Sequence, residues 1–140
     1  MWKFEGILRE GQGHTFAATV FGFEYTFFQA FDSDADLGIL LEHLYDGRNP
    51  NDAPIASLEN DLFFGMRYTF NDINDTNVLA GFVTDLEDES NSVRLEADRR
   101  IGNHWRAELV SQWFSNTRDD SITASFNDDD FTSLNISRFF

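Results

Sequence analysis

The sequence predicts an all-β protein, an antiparallel up-and-down meander of about eight long strands. Three observations carry this expectation. Apolar and polar residues alternate with period two along most of the 140 residues. No stretch repeats convincingly at the 3.6-residue period of a helix. Clusters of Gly, Asn, Asp and Ser recur at intervals that leave room for strands between them.

The expected strands are 2–10, 14–28, 36–46, 60–71, 77–87, 91–101, 104–115 and 129–140, in a single domain over 1–140. In the first, Trp2 to Leu8 alternates from its second residue. In the second, Ala17, Phe21, Phe23, Tyr25 and Phe27 oppose Gly22, Glu24 and Thr26. In the third, Leu37, Ile39, Leu41 and Tyr45 oppose Gly38, Leu40 and Glu42. Leu37, Leu40, Leu41 and Leu44 also fit helical spacing. A strand is preferred, because strands flank the segment and it is short for an uncapped helix. The fourth places Leu62, Phe64, Met66, Tyr68 and Phe70 against Asp61, Phe63, Gly65, Arg67 and Thr69. The seventh alternates Trp105, Ala107, Leu109, Ser111 and Trp113 with Arg106, Glu108, Val110 and Gln112. The last alternates Leu134, Ile136 and Phe140 with Ser133, Asn135 and Ser137. Connections fall at Gly11-Gln12-Gly13, 29–35, 47–59, 71–76, 87–90, Gly102-Asn103 and 116–128. Pro50 and Pro54 share one loop, where a missing ladder donor does no harm.

Composition excludes several functions. Twenty-five acidic residues against 10 basic ones give a net charge of −15, the opposite of the cationic footprint that nucleic acid requires. The absence of cysteine removes disulfides, thiolate zinc sites and cysteine catalysis. Mean hydropathy is −0.38 and no apolar run approaches the roughly 20 residues of a spanning helix. An aromatic content of 16% argues against disorder despite the charge. The N-terminus alternates where an exported protein would carry an apolar leader, so a C-terminal piece of a longer exported protein is expected.

The two faces are sorted by chemistry. Charges of both signs occupy one: Glu24, Glu42, Arg67, Arg94, Glu96, Arg106 and Glu108. The other is apolar and carries aromatics near its ends: Trp2, Tyr25, Tyr45, Tyr68, Trp105, Trp113 and Phe140. In a water-soluble barrel the apolar face lies inside; in a membrane barrel it lies outside and the charges line a lumen. Strand length favours the second, since about 10–12 residues exceeds the usual five or six and matches the 9–11 needed to cross a bilayer. The segment Leu134-Asn135-Ile136-Ser137-Arg138-Phe139-Phe140 then resembles the C-terminal signature of bacterial outer-membrane β-barrels. Leu134, Ile136 and Phe140 occupy the alternating apolar positions, while Arg138 departs from the pattern. The resemblance implies that this strand is read by the barrel-assembly machinery and that the chain ends at the periplasmic rim. Loops 47–59 and 116–128 then lie outside the cell, with shorter turns in the periplasm.

The expected function is a passive channel or structural membrane barrel with a charged lumen, in contact with outer-membrane lipid and lipopolysaccharide. In a narrow barrel the interior charges would pair across the lumen and plug it; in a wide one they would line an aqueous pore and bias ion selectivity. The alternatives are a soluble lipocalin-like or fatty-acid-binding barrel with an apolar ligand, and a lipid-acting barrel enzyme. For the enzyme, His43 with Ser111 or Ser133 is the only arrangement the sequence offers, and no motif supports it. His14, His43 and His104 lack metal-site spacing, so neither metal nor cofactor is expected. Asp85, Glu87, Asp88 and Glu89, and Asp119, Asp120, Asp128, Asp129 and Asp130, form acidic loops that read first as solvated and self-repelling, with weak divalent-cation binding as the alternative. Mid-strand Gly6, Gly22, Gly38, Gly65 and Gly81 suggest tight barrel curvature.

Overall fold

A computed structural model describes residues 1–11, 13–49, 51–53, 58–116 and 128–140. The strands are β1 (Trp2–Arg9), β2 (Phe16–Phe27), β3 (Asp36–Asp46), β4 (Asn60–Thr69), β5 (Asn77–Asp85), β6 (Asn91–Ile101), β7 (Trp105–Ser115) and β8 (Phe131–Arg138). Each lies within two residues of its expected position, and the third segment is a strand. Gln12, Pro50, Pro54, Asp119 and Asp120 lie outside the described residues.

The eight strands form one antiparallel sheet in the order of the sequence. Tight turns join several of them through left-handed residues: Gly11 at φ 95° and Gly13 at φ 77°, Asn71 and Asp75 near φ 55°, and Gly102 at φ 62°. The β2–β3 connection holds a feature the sequence did not announce. A short 3-10 stretch, Ala30–Asp32, has Phe31 and Asp32 at φ 58°, closed by the Ser33 hydroxyl donating to the Ala30 carbonyl at 2.6 Å. Local side-chain bonds of this kind compete well with regular ladders and leave no periodic trace in a sequence.

Register holds without a slip. Trp2 lies opposite Phe23, which continues through Leu41, Phe64, Phe82 and Val93 to Trp113. Directly paired residues face the same side, so this row and its even-numbered steps build one continuous apolar face. The intervening residues form the other. One cavity of about 510 Å³ touches Lys3 of β1, Arg67 of β4 and Gln112 of β7, so the sheet curls around its charged face. The apolar face is convex. A conventional core is missing: among the described residues only Phe16, Ala30, Ala35 and Ala53 are buried apolar residues. The sheet remains open between β1 and β8.

Glycines take part in the curl. Gly22, Gly38, Gly65 and Gly81 all lie on the concave face of β2–β5, and Gly65 pairs directly with Gly81. The Phe63 ring covers the last two, with Cε1 3.0 Å from a Cβ built on Gly65 and Cε2 3.3 Å from one on Gly81. An aromatic ring here replaces the side-chain packing that a glycine pair lacks.

The β1–β2 connection rests on Gly13. Its φ of 77° disfavours any side chain, and a Cβ there would lie 2.3 Å from Asp52 Cβ. Gly13→Ala is expected to lower stability by about 1–3 kcal/mol, read as a lower urea midpoint; an unchanged midpoint would show that this loop is not tied to Asp52.

Candidate functional site

The seven charged residues singled out from the sequence all lie on the concave face: Glu24 on β2, Glu42 on β3, Arg67 on β4, Arg94 and Glu96 on β6, Arg106 and Glu108 on β7. Their ion pairs are local. Lys3 Nζ meets Glu24 Oε2 at 2.7 Å on the neighbouring strand, and Arg94 Nε meets Glu96 Oε1 at 2.6 Å two residues along. Arg106 bridges Asp98 at 3.1 Å and Glu108 at 3.2 Å; the second contact is ionic, without hydrogen-bond alignment. None of these pairs reaches across the concave face. The period-two backbone places i and i+2 side chains on one face, and diagonal cross-strand neighbours lie only about 7–8 Å apart, so near partners satisfy these charges first. Arg67 and Glu42 have no ion-pair partner among the described residues.

The cavity of about 510 Å³ is not purely polar. Leu40, Phe63, Leu79 and Val83 line it beside Arg67 and Arg94. Alternation alone does not mark these apolar residues as part of a site, and the glycines beside them are the available signal: Leu40 lies opposite Gly65, and Leu79 and Val83 flank Gly81. A second cavity of about 310 Å³ lies beyond Arg67 and is lined by Thr69, Asn77, Glu96 and Asp98. Arg67 belongs to the walls of both.

The convex face carries the aromatics. Trp2 stacks on Phe21 and tilts against Phe23, with centroids 5.5 and 4.8 Å away. Tyr25 meets Phe27 edge-on at 4.7 Å, and Tyr68 meets Phe70 at 4.8 Å. Tyr45 and Trp113 stand toward the opposite rim, near the ends of β3 and β7. Leu134 and Ile136 project from β8 on this face, while Phe140 follows the strand and is fully exposed. Arg138 departs from the apolar pattern without breaking the face. Its guanidinium lies 5.4 Å from the Trp105 ring centre and 4.8 Å from that of Phe140, a cation–π sandwich that accommodates the charge among aromatics.

The proposed nucleophilic pair is not assembled. His43 Nε2 bonds Asn60 Oδ1 at 2.9 Å, whereas Ser111 Oγ bonds the Thr132 hydroxyl at 2.8 Å on β7 and β8. Ser133 pairs with Val110 on the opposite face. The acidic loop after β5 uses its carboxylates internally: Asp85 Oδ1 accepts the Glu87 and Asp88 N–H groups, and Asp88 Oδ1 accepts that of Ser90. Asp130 Oδ1 accepts the Phe114 N–H at 2.7 Å. Among the described residues no three His, Asp or Glu side chains converge as a metal site would require. No helix among them is long and apolar enough to cross a membrane, which does not bear on crossing by strands. Asp61 is buried opposite Asp85, and its Oδ2 has no partner.

Two loop carboxylates titrate in opposite senses. The Thr76 N–H, aided by the Thr76 hydroxyl and Arg99, holds Asp72 below the usual carboxylate range. Burial, then the charges of Glu87, Asp85 and Asp46, push Glu59 up. No family model, curated protein or solved structure matches this chain.

A depressed Asp72 stabilises the fold above the unfolded carboxylate value near 3.9, and that contribution disappears as pH falls through its lower folded value. Asp72→Asn is therefore expected to flatten the acid limb of stability. Glu59 acts with the reverse sign: its charge is penalised above its raised folded value, and the penalty is gone below the unfolded value near 4.3. Glu59→Gln should raise the urea midpoint at about pH 8 and leave it unchanged at about pH 3. A gain at the acid end alone would contradict the assignment.

Proposed function

We propose that this chain is a bacterial outer-membrane β-barrel whose eight strands cross the bilayer around a charged lumen. The observation that carries this reading is the direction of curvature. Residues such as Phe21, Phe64, Phe82 and Val93 stand exposed on the convex side, while Arg67, Arg94 and Glu96 stand on the concave side. Water-soluble monomers rarely expose apolar patches beyond a few hundred Å². Hydrocarbon is the medium that suits this face, with the aromatic residues at the interfaces. A soluble lipocalin-like or fatty-acid-binding barrel requires the reverse curvature, with its aromatic face inside. The partners proposed with this reading are lipid and lipopolysaccharide around the wall and, as the resemblance of the last strand implies, the barrel-assembly machinery at Leu134, Ile136 and Phe140.

A bilayer does not tolerate an open sheet edge, because each unpaired N–H or C=O in hydrocarbon costs several kcal/mol. The stagger of the ladders supports closure of β1 onto β8. Along the row from Trp2 to Trp113, β1 lies wholly to one side, and β8, whose Phe131 pairs with Gln112, lies wholly to the other. A slide of eight residues brings the two edges into full overlap, with Trp2 against Arg138 and Arg9 against Phe131. Both faces keep their parity. Eight strands with a shear of eight form a closed barrel tilted by about 36°, within the range of transmembrane barrels. The edge residues lack a neighbour: Phe4 is 70% and Leu8 80% exposed, against 44% for Phe64 and 38% for Phe82 on inner strands. A barrel of this size has an interior that side chains fill or that admits one small ligand, so a structural barrel is favoured over an open channel.

Two experiments test this reading. The chain should require detergent for extraction and migrate differently on gels with and without heating; a soluble, heat-unmodified monomer would overturn the membrane assignment. Oxidation of a Leu8→Cys/Thr132→Cys double variant should form an intramolecular disulfide, with Leu8→Cys/Leu134→Cys forming it poorly. The chain has no cysteine of its own to confuse the result. Only intermolecular products would overturn closure of β1 onto β8.

A further inference from the structure

We infer that the concave side of β2–β5 binds one small organic anion with a hydrocarbon body, its carboxylate taken by Arg67. This site rests on the barrel reading above, since it lies on the face that reading makes the lumen.

The missing partner of Arg67 is the first observation. Of the cations lining the larger cavity, Lys3 is engaged by Glu24 and Arg94 by Glu96. Among the described residues Arg67 forms no salt bridge, and the carboxylate that does feel its charge, Glu24, is bonded by Lys3; yet the chain has 25 acidic residues and 10 basic ones. Acids are so abundant that scarcity does not explain a guanidinium with no bonded carboxylate. The planar fork of Arg matches a carboxylate bidentately.

The surroundings of Arg67 select the rest of the ligand. Leu40, Phe63, Leu79 and Val83 stand beside the guanidinium in the same cavity. A hydrated inorganic anion gains nothing from such walls, whereas a hydrocarbon chain gains burial. A cation is disfavoured, because the only acid in the lining is Glu24, already held by Lys3. Beyond Arg67 the smaller cavity carries Glu96 and Asp98, which repel an anion and confine it to the larger one.

Room is the second observation. The volume of about 510 Å³ falls in the range of small-molecule pockets, about 300–1,000 Å³. At Gly38 a Cβ would meet nothing closer than 3.8 Å, so close packing does not require glycine there. The Phe63 ring over Gly65 and Gly81 supplies an apolar floor next to that opening.

The test is a calorimetric titration of the full chain, folded in a neutral maltoside detergent, with octanoate. Folding is checked first by heat-modifiable migration. Octanoate is expected to bind saturably, with affinity at least about tenfold weaker in Arg67→Gln and no binding in Gly38→Leu, which fills the cavity beside Arg67 and keeps its charge. Octyltrimethylammonium is expected not to compete. Octanoate binding to Arg67→Gln as to the unaltered chain, competition by the cation, or no saturable binding to the folded chain would each overturn the site. A chain that stays soluble is titrated without detergent: binding then keeps the site and removes the barrel reading, and no binding removes both.

Discussion

The whole arrangement depends on register being kept without a slip across seven ladders. Side chains alternate along an extended strand, and residues paired across strands share a face. A shift of one residue in any ladder would send every apolar residue beyond it to the opposite face. The row from Trp2 through Phe23, Leu41, Phe64, Phe82 and Val93 to Trp113 shows the constraint obeyed across β1–β7, and Leu109 opposite Leu134 extends it to β8. The tight turns contribute by fixing loop length. Gly102, Asn71 and Asp75 adopt left-handed conformations that reverse the chain in few residues, which leaves the strands little freedom to slide.

With register fixed, the energetics are unusual for a chain of this size. Among the described residues there is almost no buried apolar core, so the hydrophobic term that stabilises most domains is not realised inside the sheet. Ladder hydrogen bonds hold the strands, and the outward aromatics stand exposed. The concave face is stabilised by short-range pairs such as Lys3–Glu24 and Arg94–Glu96, which are partly exposed and individually weak. Placing the apolar face in hydrocarbon changes both terms together: it removes that face from water and strengthens every backbone hydrogen bond in the wall.

The concave surface combines two residue types whose roles differ. Gly38, Gly65 and Gly81 line the larger cavity, where Phe63 and Leu40 partly refill the space beside them, whereas Glu42 packs closely on Gly22. Arg67 stands between the two resulting cavities. A narrow barrel with an entirely side-chain-filled interior would have no need of Gly38, where a larger residue meets no obstruction. Gly38, which lines the curl of the sheet, therefore also leaves space beside Arg67.

Period two is a local property, and it was enough to locate all eight strands within two residues and to sort Arg67, Glu96 and Glu108 from Phe64, Met66 and Trp113. It also placed Arg138 among the apolar positions as an exception, without showing that Trp105 and Phe140 would receive its guanidinium. Which face is concave is not local. It follows from twist and stagger accumulated over all seven ladders, and alternation reads the same whichever way a sheet curls. Tertiary structure alone decided that His43 bonds Asn60 instead of a serine, that Phe63 lies across two glycines, and that Arg106 meets Asp98 on the next strand. Each depends on which residue of a neighbouring strand stands opposite or diagonal, a distance that is short in space and long in sequence.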